Sequence, residues 1–172
     1  MPLTFTPIHS STIIRRMSDN EEIVFKPMKL EDLPAVMVIE RASFSAPWSE
    51  EIFRNDMLEN LNSIYEVGIL DDEVATYTGL WVLNEIGHIT TIAVRHDLRG
   101  RGLGEAALMN IIETGRREGV EKFTLEVRES NIEAIKMYEK HGFKLIGRRK
   151  NYYQEVGEDA LVMWTGDPPY EG

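Results

Sequence analysis

Apolar and polar positions change period several times along the chain, and each change marks an element. Residues 23–27 (Ile-Val-Phe-Lys-Pro) read as a first strand closed by proline. Residues 31–44 then place Leu33, Val36, Met37 and Glu40, flanked by Ile39, at helical spacing, and Pro34 is tolerated in the first turn. Pro47-Trp48-Ser49 interrupts that pattern. Ser49 followed by Glu50, Glu51 and Ile52 supplies the cap and acidic first turn of a second helix, reaching to about residue 61.

Three strand-like stretches follow at residues 63–70, 74–83 and 88–94, with Asp71-Asp72 and Asn84-Glu85 as turns, which predicts an antiparallel meander. A helical pattern opens at Leu103 and is stopped at Gly119. Residues 122–128 predict a strand, 130–141 a helix, 143–152 a strand and 160–165 a last strand. Strands alternate with helices only in the second half. The pattern therefore predicts an α+β domain on a mixed, mostly antiparallel sheet of about seven strands with flanking helices.

Domain limits follow from the same pass. Residues 1–22 are rich in Ser, Thr and Pro and lack a basic-then-apolar leader, so they read as a flexible N-terminal extension. Residues 23–166 form the domain and 167–172 a C-terminal tail.

With 172 residues, 42% of them hydrophobic and 28% charged, the chain has room for one core and has no apolar run able to span a bilayer. A cytoplasmic protein is expected, with no membrane partner. The chain has no cysteine, which excludes disulfides, thiolate metal ligands and a Cys nucleophile. His9, His88, His96 and His141 show no ligand spacing, so no metal is expected, and each reads as a surface or satisfied core residue. The net charge of −10 argues against direct nucleic-acid binding. It would suit a cationic partner, although acidity for solubility alone explains it as simply.

Candidate chemistry begins at Arg99-Gly100-Arg101-Gly102-Leu103-Gly104, between a β-branched run and a helix start. Glycines there let successive N–H groups and the positive helix end converge on phosphate. The spacing is neither a dinucleotide fingerprint nor a P-loop, and a flexible basic turn fits the hexapeptide equally well. Further on, alternation puts Phe123, Leu125 and Val127 on one strand face and Thr124, Glu126 and Arg128 on the other. Glu126 is then either a base in a wet cavity, its pKa raised by burial, or a carboxylate paired with a basic neighbour such as Arg128. Ser130-x-x-Glu133 reads as a capping box, and Ala134, Ile135 and Tyr138 share a helix face that turns the phenol toward the sheet.

These elements and several short motifs occur together in one order: Phe44-Ser45-Ala46-Pro47-Trp48-Ser49, Ile92-Ala93-Val94, Arg99 to Gly104, Leu125-Glu126-Val127-Arg128, Ser130-Asn131, Tyr138-Glu139 with Gly142-Phe143, and Asn151-Tyr152-Tyr153. In this the chain resembles, over residues 23–165, the GNAT superfamily of N-acetyltransferases. Within it the chain is similar to the bacterial ribosomal-protein-alanine N-terminal acetyltransferases, with archaeal N-terminal acetyltransferases as near relatives.

The resemblance implies a GNAT-like sheet with a splayed central pair, and acetyl-CoA as cosubstrate. It implies that the backbone of Ile92, Ala93 and Val94 pairs with the pantetheine arm, that Arg99, Gly100, Arg101, Gly102, Leu103, Gly104 and Glu105 hold the pyrophosphate, and that Asn131 bonds the pantetheine end. Glu126 would accept a proton, Tyr138 would donate one, and Pro47, Trp48, Tyr152 and Tyr153 would line a peptide groove. The implied partner is the N-terminal peptide of a ribosomal protein, acetylated at its α-amine by direct transfer. A broader N-terminal or small-amine acetyltransferase, and a non-catalytic acetyl-CoA-binding module, remain open alternatives.

Overall fold

The computed structural model describes residues 12–167. Eight strands form one sheet: β1 (Ile13–Arg16), β2 (Glu22–Pro27), β3 (Ser63–Leu70), β4 (Glu73–Leu83), β5 (Ile86–Val94), β6 (Lys122–Arg128), β7 (Phe143–Tyr153) and β8 (Glu158–Thr165), in the order β1-β2-β3-β4-β5-β6-β8-β7. Every neighbouring pair is antiparallel except β5 and β6. Four α-helices flank it among the described residues: α1 (Leu33–Ser43), α2 (Glu50–Glu59), α3 (Leu103–Arg117) and α4 (Ile132–Lys140). None is long and apolar enough to cross a membrane.

Alternation in β3 separates the two layers. Tyr65 and Val67 meet Leu33, Val36, Met37 and Phe53 of α1 and α2, whereas Ile64 and Glu66 face α3. Beyond the sheet's centre, Leu108 and Ile111 of α3 and Tyr138 of α4 close over Leu80, Phe123, Leu125 and Met163. Helix α3 approaches so closely that a Cβ on Gly115 would lie 2.7 Å from the Phe123 ring, and glycine is what permits the contact. Removing Phe123 from water is worth about 2–3 kcal/mol.

Turn and cap chemistry explains most boundaries. Asp71, Asp72 and Asn84 all adopt positive φ, as the tight hairpin turns require. Ser49 Oγ accepts from the Ile52 N–H at 3.2 Å and starts α2. At α4 the expected capping box gives way: Asn131 Oδ1 accepts from the Ala134 N–H at 3.3 Å, and the helix begins at Ile132. The Ser130 hydroxyl is drawn instead to the Glu158 carboxylate at 2.7 Å, a charge-assisted bond that outcompetes an amide contact.

An eighth strand also appears where an extension was expected. Ile13 to Arg16 pair with Phe25 to Glu22, and the half-buried Ile13 packs with Ile23 and Phe25 at that edge. Two adjacent isoleucines and two arginines carry no alternation, so no strand was legible there. Residues 1–11 and 168–172, which hold His9 and nearly all of the expected tail, lie outside the described residues.

Candidate active site

Strands β5 and β6 pair only through Ile86, Gly87 and His88 against Lys122, Phe123 and Thr124. Beyond His88 they part. On its other side β5 also departs from regular pairing, because Gly79 faces Thr91 and Leu80 faces Ile89, leaving Thr90 as an extra residue. Gly79 permits this crowding, since a Cβ there would meet Thr90 Oγ1 at 2.6 Å.

The opening holds a cavity of about 580 Å³. Among the expected site residues Trp48, Ile92, Glu126, Asn131, Tyr138, Tyr152 and Tyr153 line it. Pro47 does not, although its neighbours Ala46 and Trp48 do. The buried hydroxyls of Thr90 and Thr91 on its wall have no hydrogen-bond partner among the described residues. Such orphaned donors, beside a strand edge freed by the splay, fit an amide-bearing arm of the pantetheine kind.

Glu126 projects into this cavity with only 11% of its side chain exposed. Its Oε2 lies 2.6 Å from His88 Nε2, and its Oε1 is 3.4 Å from Arg149 Nε. Burial on its own would raise the carboxyl's pKa. The His88 hydrogen bond and the charges of His88 and Arg149 outweigh it, so the net shift is downward. The carboxylate is thus paired with basic neighbours, one of the two readings open from the sequence, but its pKa falls instead of rising and the partners are His88 and Arg149 rather than Arg128. Arg128 turns instead to Ser45 Oγ at 3.0 Å and to the Tyr153 ring, 5.3 Å from its centroid.

Tyr138 comes from the buried face of α4, its ring against Phe143 at a centroid distance of 5.7 Å. Its hydroxyl has no hydrogen-bond partner among the described residues, and the residue lines the cavity. Burial, then the nearby Tyr153, pushes its pKa up to about 12, so the phenol stays protonated at neutral pH. Tyr153, edge-on to Tyr152 at 5.2 Å, is likewise pushed up to about 12.

The glycine turn stands at the end of β5. Gly100 and Gly102 have φ of +76° and +80°, with nothing within 4 Å of a Cβ at Gly100, and α3 starts from Gly102. Gly104 lies beside Val94 of β5, whose methyl would stand 3.6 Å from any Cβ at this position, and near Met137, the neighbour of Tyr138. The glycine turn therefore shares the splayed end of the sheet with Tyr138. Leu103 and Ala93 are buried in the core and Val94 is half-buried against it. Arg99 donates to the Val94 carbonyl at 3.4 Å and to Ser43 Oγ at 3.1 Å. Glu105 bonds Lys140 at 2.6 Å and His141 at 2.7 Å, which hold its carboxyl below the usual range and tie α3 to the end of α4.

Sequence reasoning missed three participants. His88 was one of four scattered histidines, and only the β5–β6 register puts it on the Glu126 face. Arg149 arrives from a strand beyond β8. Glu40, read as one position of a helical stripe, is a buried carboxylate accepting from the Trp48 N–H at 2.9 Å and from the Tyr77 hydroxyl. It holds the α1–α2 loop against the cavity, and burial raises its pKa. A carboxylate in an otherwise apolar stripe was the available signal. Among the described residues no cluster of three His, Asp or Glu forms a metal site.

A splayed β5–β6 pair above a glycine-initiated helix is the architecture of one enzyme class, and the chain belongs to the acetyltransferase (GNAT) family, whose sequence profile matches residues 33–143. It is therefore an N-acetyltransferase, a class that draws its acetyl group from acetyl-CoA. The chain is 36% identical over 134 residues to the [ribosomal protein bS18]-alanine N-acetyltransferase of Salmonella typhimurium, covering 77% of this chain and 89% of that one. It is 40% identical over 138 residues to a Bacillus subtilis protein whose name gives it the same activity provisionally, covering 80% and 91%. The crystal structure of the Escherichia coli ribosomal-protein-S18-alanine N-acetyltransferase superposes with a TM-score of 0.76 at 31% identity, over 87% of this chain and 99% of that one.

Proposed function

We propose that the protein transfers acetyl from acetyl-CoA directly to the N-terminal α-amine of a protein, the N-terminal alanine of a small-subunit ribosomal protein, in the cytoplasm. Glu126 and Tyr138 facing one cavity is the observation that supports this most. The names carried by the relatives support the choice of amine.

Acetyl-CoA supplies an activated acyl thioester. A peptide α-amine has a free pKa of about 8, so it needs only a modest base, whereas a lysine amine near ~10.4 needs a stronger one. Glu126, kept ionised by His88 and Arg149, accepts that proton as the nitrogen attacks. Backbone N–H groups of Ile92 to Val94 face the developing oxyanion. As the new C–N bond forms and the C–S bond breaks, Tyr138 gives its proton to the departing sulfur. The phenol is then reprotonated through the open cavity. The absence of a cysteine to carry an acetyl group favours direct transfer over an acetyl-enzyme. Gly100 to Glu105 cradle the diphosphate, the Asn131 carboxamide nitrogen donates to the pantetheine end, and Trp48, Tyr152 and Tyr153 guide the peptide.

Mass spectrometry of defined N-terminal peptides incubated with enzyme and acetyl-CoA tests this reading. Acetylation of an alanine-initiated ribosomal peptide, lost in Glu126→Gln, is the expected result. A preference for polyamines or free amino acids would overturn it.

A further inference from the structure

Strand β1 and the turn that follows it run back beside the glycine turn. The turn between β1 and β2 is closed by Met17 and Glu21, whose backbones bond at 2.7 Å. β1 and this turn sit against α3 and its N-cap. Arg15 reaches Glu113 on α3 at 2.7 Å, and the Met17 methyl carbon stands 3.5 Å from where a Cβ on Gly102 would lie. Ile13 and Met17 pack with Leu98, Leu103 and Ala106. The turn is thereby held beside the start of the helix that opens the cradle.

From this position the turn presents two carboxylates to the cradle's own cation. Arg101 donates to the Glu21 carboxylate and lies 3.6 Å from Asp19 Oδ2. Arg101 stands between Gly100 and Gly102, the two positive-φ glycines whose amides would meet a diphosphate. A phosphate entering there meets an arginine already neutralised and two negative charges close by.

We propose that Asp19 and Glu21 are built-in competitors for the phosphates of acetyl-CoA at Arg101, and that this acidic turn sets the cofactor's affinity. The inference rests on the cradle reading given above. Cofactor binding must either exchange Arg101 from carboxylate to phosphate or tolerate like charges a few ångströms away, and both weaken the complex. The competition is electrostatic and partly exposed, so salt weakens it. Neither acid touches the reacting atoms, so turnover at saturating cofactor is untouched.

A calorimetric double-mutant cycle on the full-length chain tests it, with CoA as the titrant. The double variant Asp19→Asn with Glu21→Gln should bind CoA about three- to tenfold tighter at low salt, a gain that shrinks at high salt. In the Arg101→Ala background the same neutralisation should give a clearly smaller gain, because only direct repulsion of the phosphates by the two acids is left to relieve. Repeating the titration with dephospho-CoA shows whether the contested phosphate is the ribose phosphate or the diphosphate. In the first case the gain disappears, in the second it persists, and either supports the competition. Weaker binding in the neutralised variant would mean that the acids orient Arg101 for phosphate, and would overturn the proposal, as would an unchanged affinity or a gain equally large in the Arg101→Ala background. Wild-type protein that binds no CoA would instead refute the cradle reading itself.

Discussion

From the last β5 residue paired with β6, His88 reaches across with Nε2 2.6 Å from Oε2 of Glu126, two positions beyond its partner Thr124, and this contact keeps a buried carboxylate ionised. Without it, desolvation would dominate and the carboxyl would titrate at higher pH. His88→Ala should therefore shift the acid limb of the kcat/KM profile to higher pH, because the base is protonated over a wider range. His88→Gln, which retains a donor without a charge, should fall between. Glu126→Gln should lower kcat about 10²- to 10⁴-fold at neutral pH. An acid limb unmoved by His88→Ala would dissociate the two groups.

Tyr138 separates chemistry from stability. Its ring packs on Phe143, and its hydroxyl has no partner among the described residues, so Tyr138→Phe leaves no buried group stranded. The expected result is a fall in kcat of about 10²-fold or more with an unchanged melting temperature. Steady-state kinetics beside a thermal melt reads both.

At the cradle, Gly100→Ala and Gly102→Ala meet no steric obstacle, since the space is open at the first and only an ordinary 3.5 Å contact with Met17 faces the second. Their cost is conformational. An L-residue at φ near +80° loses about 1–2 kcal/mol, or the turn relaxes and its amides point elsewhere. CoA binding by calorimetry should weaken about tenfold in either variant, with a lower unfolding midpoint.

Glu66 is 6% exposed and accepts from the Thr114 hydroxyl at 2.7 Å and from Asn110. Burial raises its carboxyl pKa, against the pull of Thr114, Arg117 and Asn110. The folded chain therefore binds more protons than the unfolded chain between the ordinary glutamate pKa and the raised one. The stability tied to this group is present below that window and lost as pH rises through it. Glu66→Gln should be more stable than wild type at neutral pH, with the difference vanishing in acid. Its amide can also donate to Asn110 Oδ1, which has no partner among the described residues. Denaturant melts across pH would measure this, and a difference independent of pH would contradict it.

The amino-acid sequence by itself determined whatever depends on a few consecutive residues. Seven of the strands and all four helices follow from period, β-branching and turn residues. The positive-φ glycines before α3, the Ser49 cap and the placement of Glu126 opposite Phe123, Leu125 and Val127 are equally local. Tertiary structure decided which groups meet. His88 and Glu126 are 38 positions apart, and their contact depends on a three-residue parallel register that no alternation encodes. The Thr90 bulge, the choice of Arg149 over Arg128 beside Glu126, and the Ser130 hydroxyl's preference for Glu158 arose in the same way. Local propensity acts through neighbours a turn or a pleat away, whereas the pairing of charges follows strand order and splay, which exist only once the sheet has assembled.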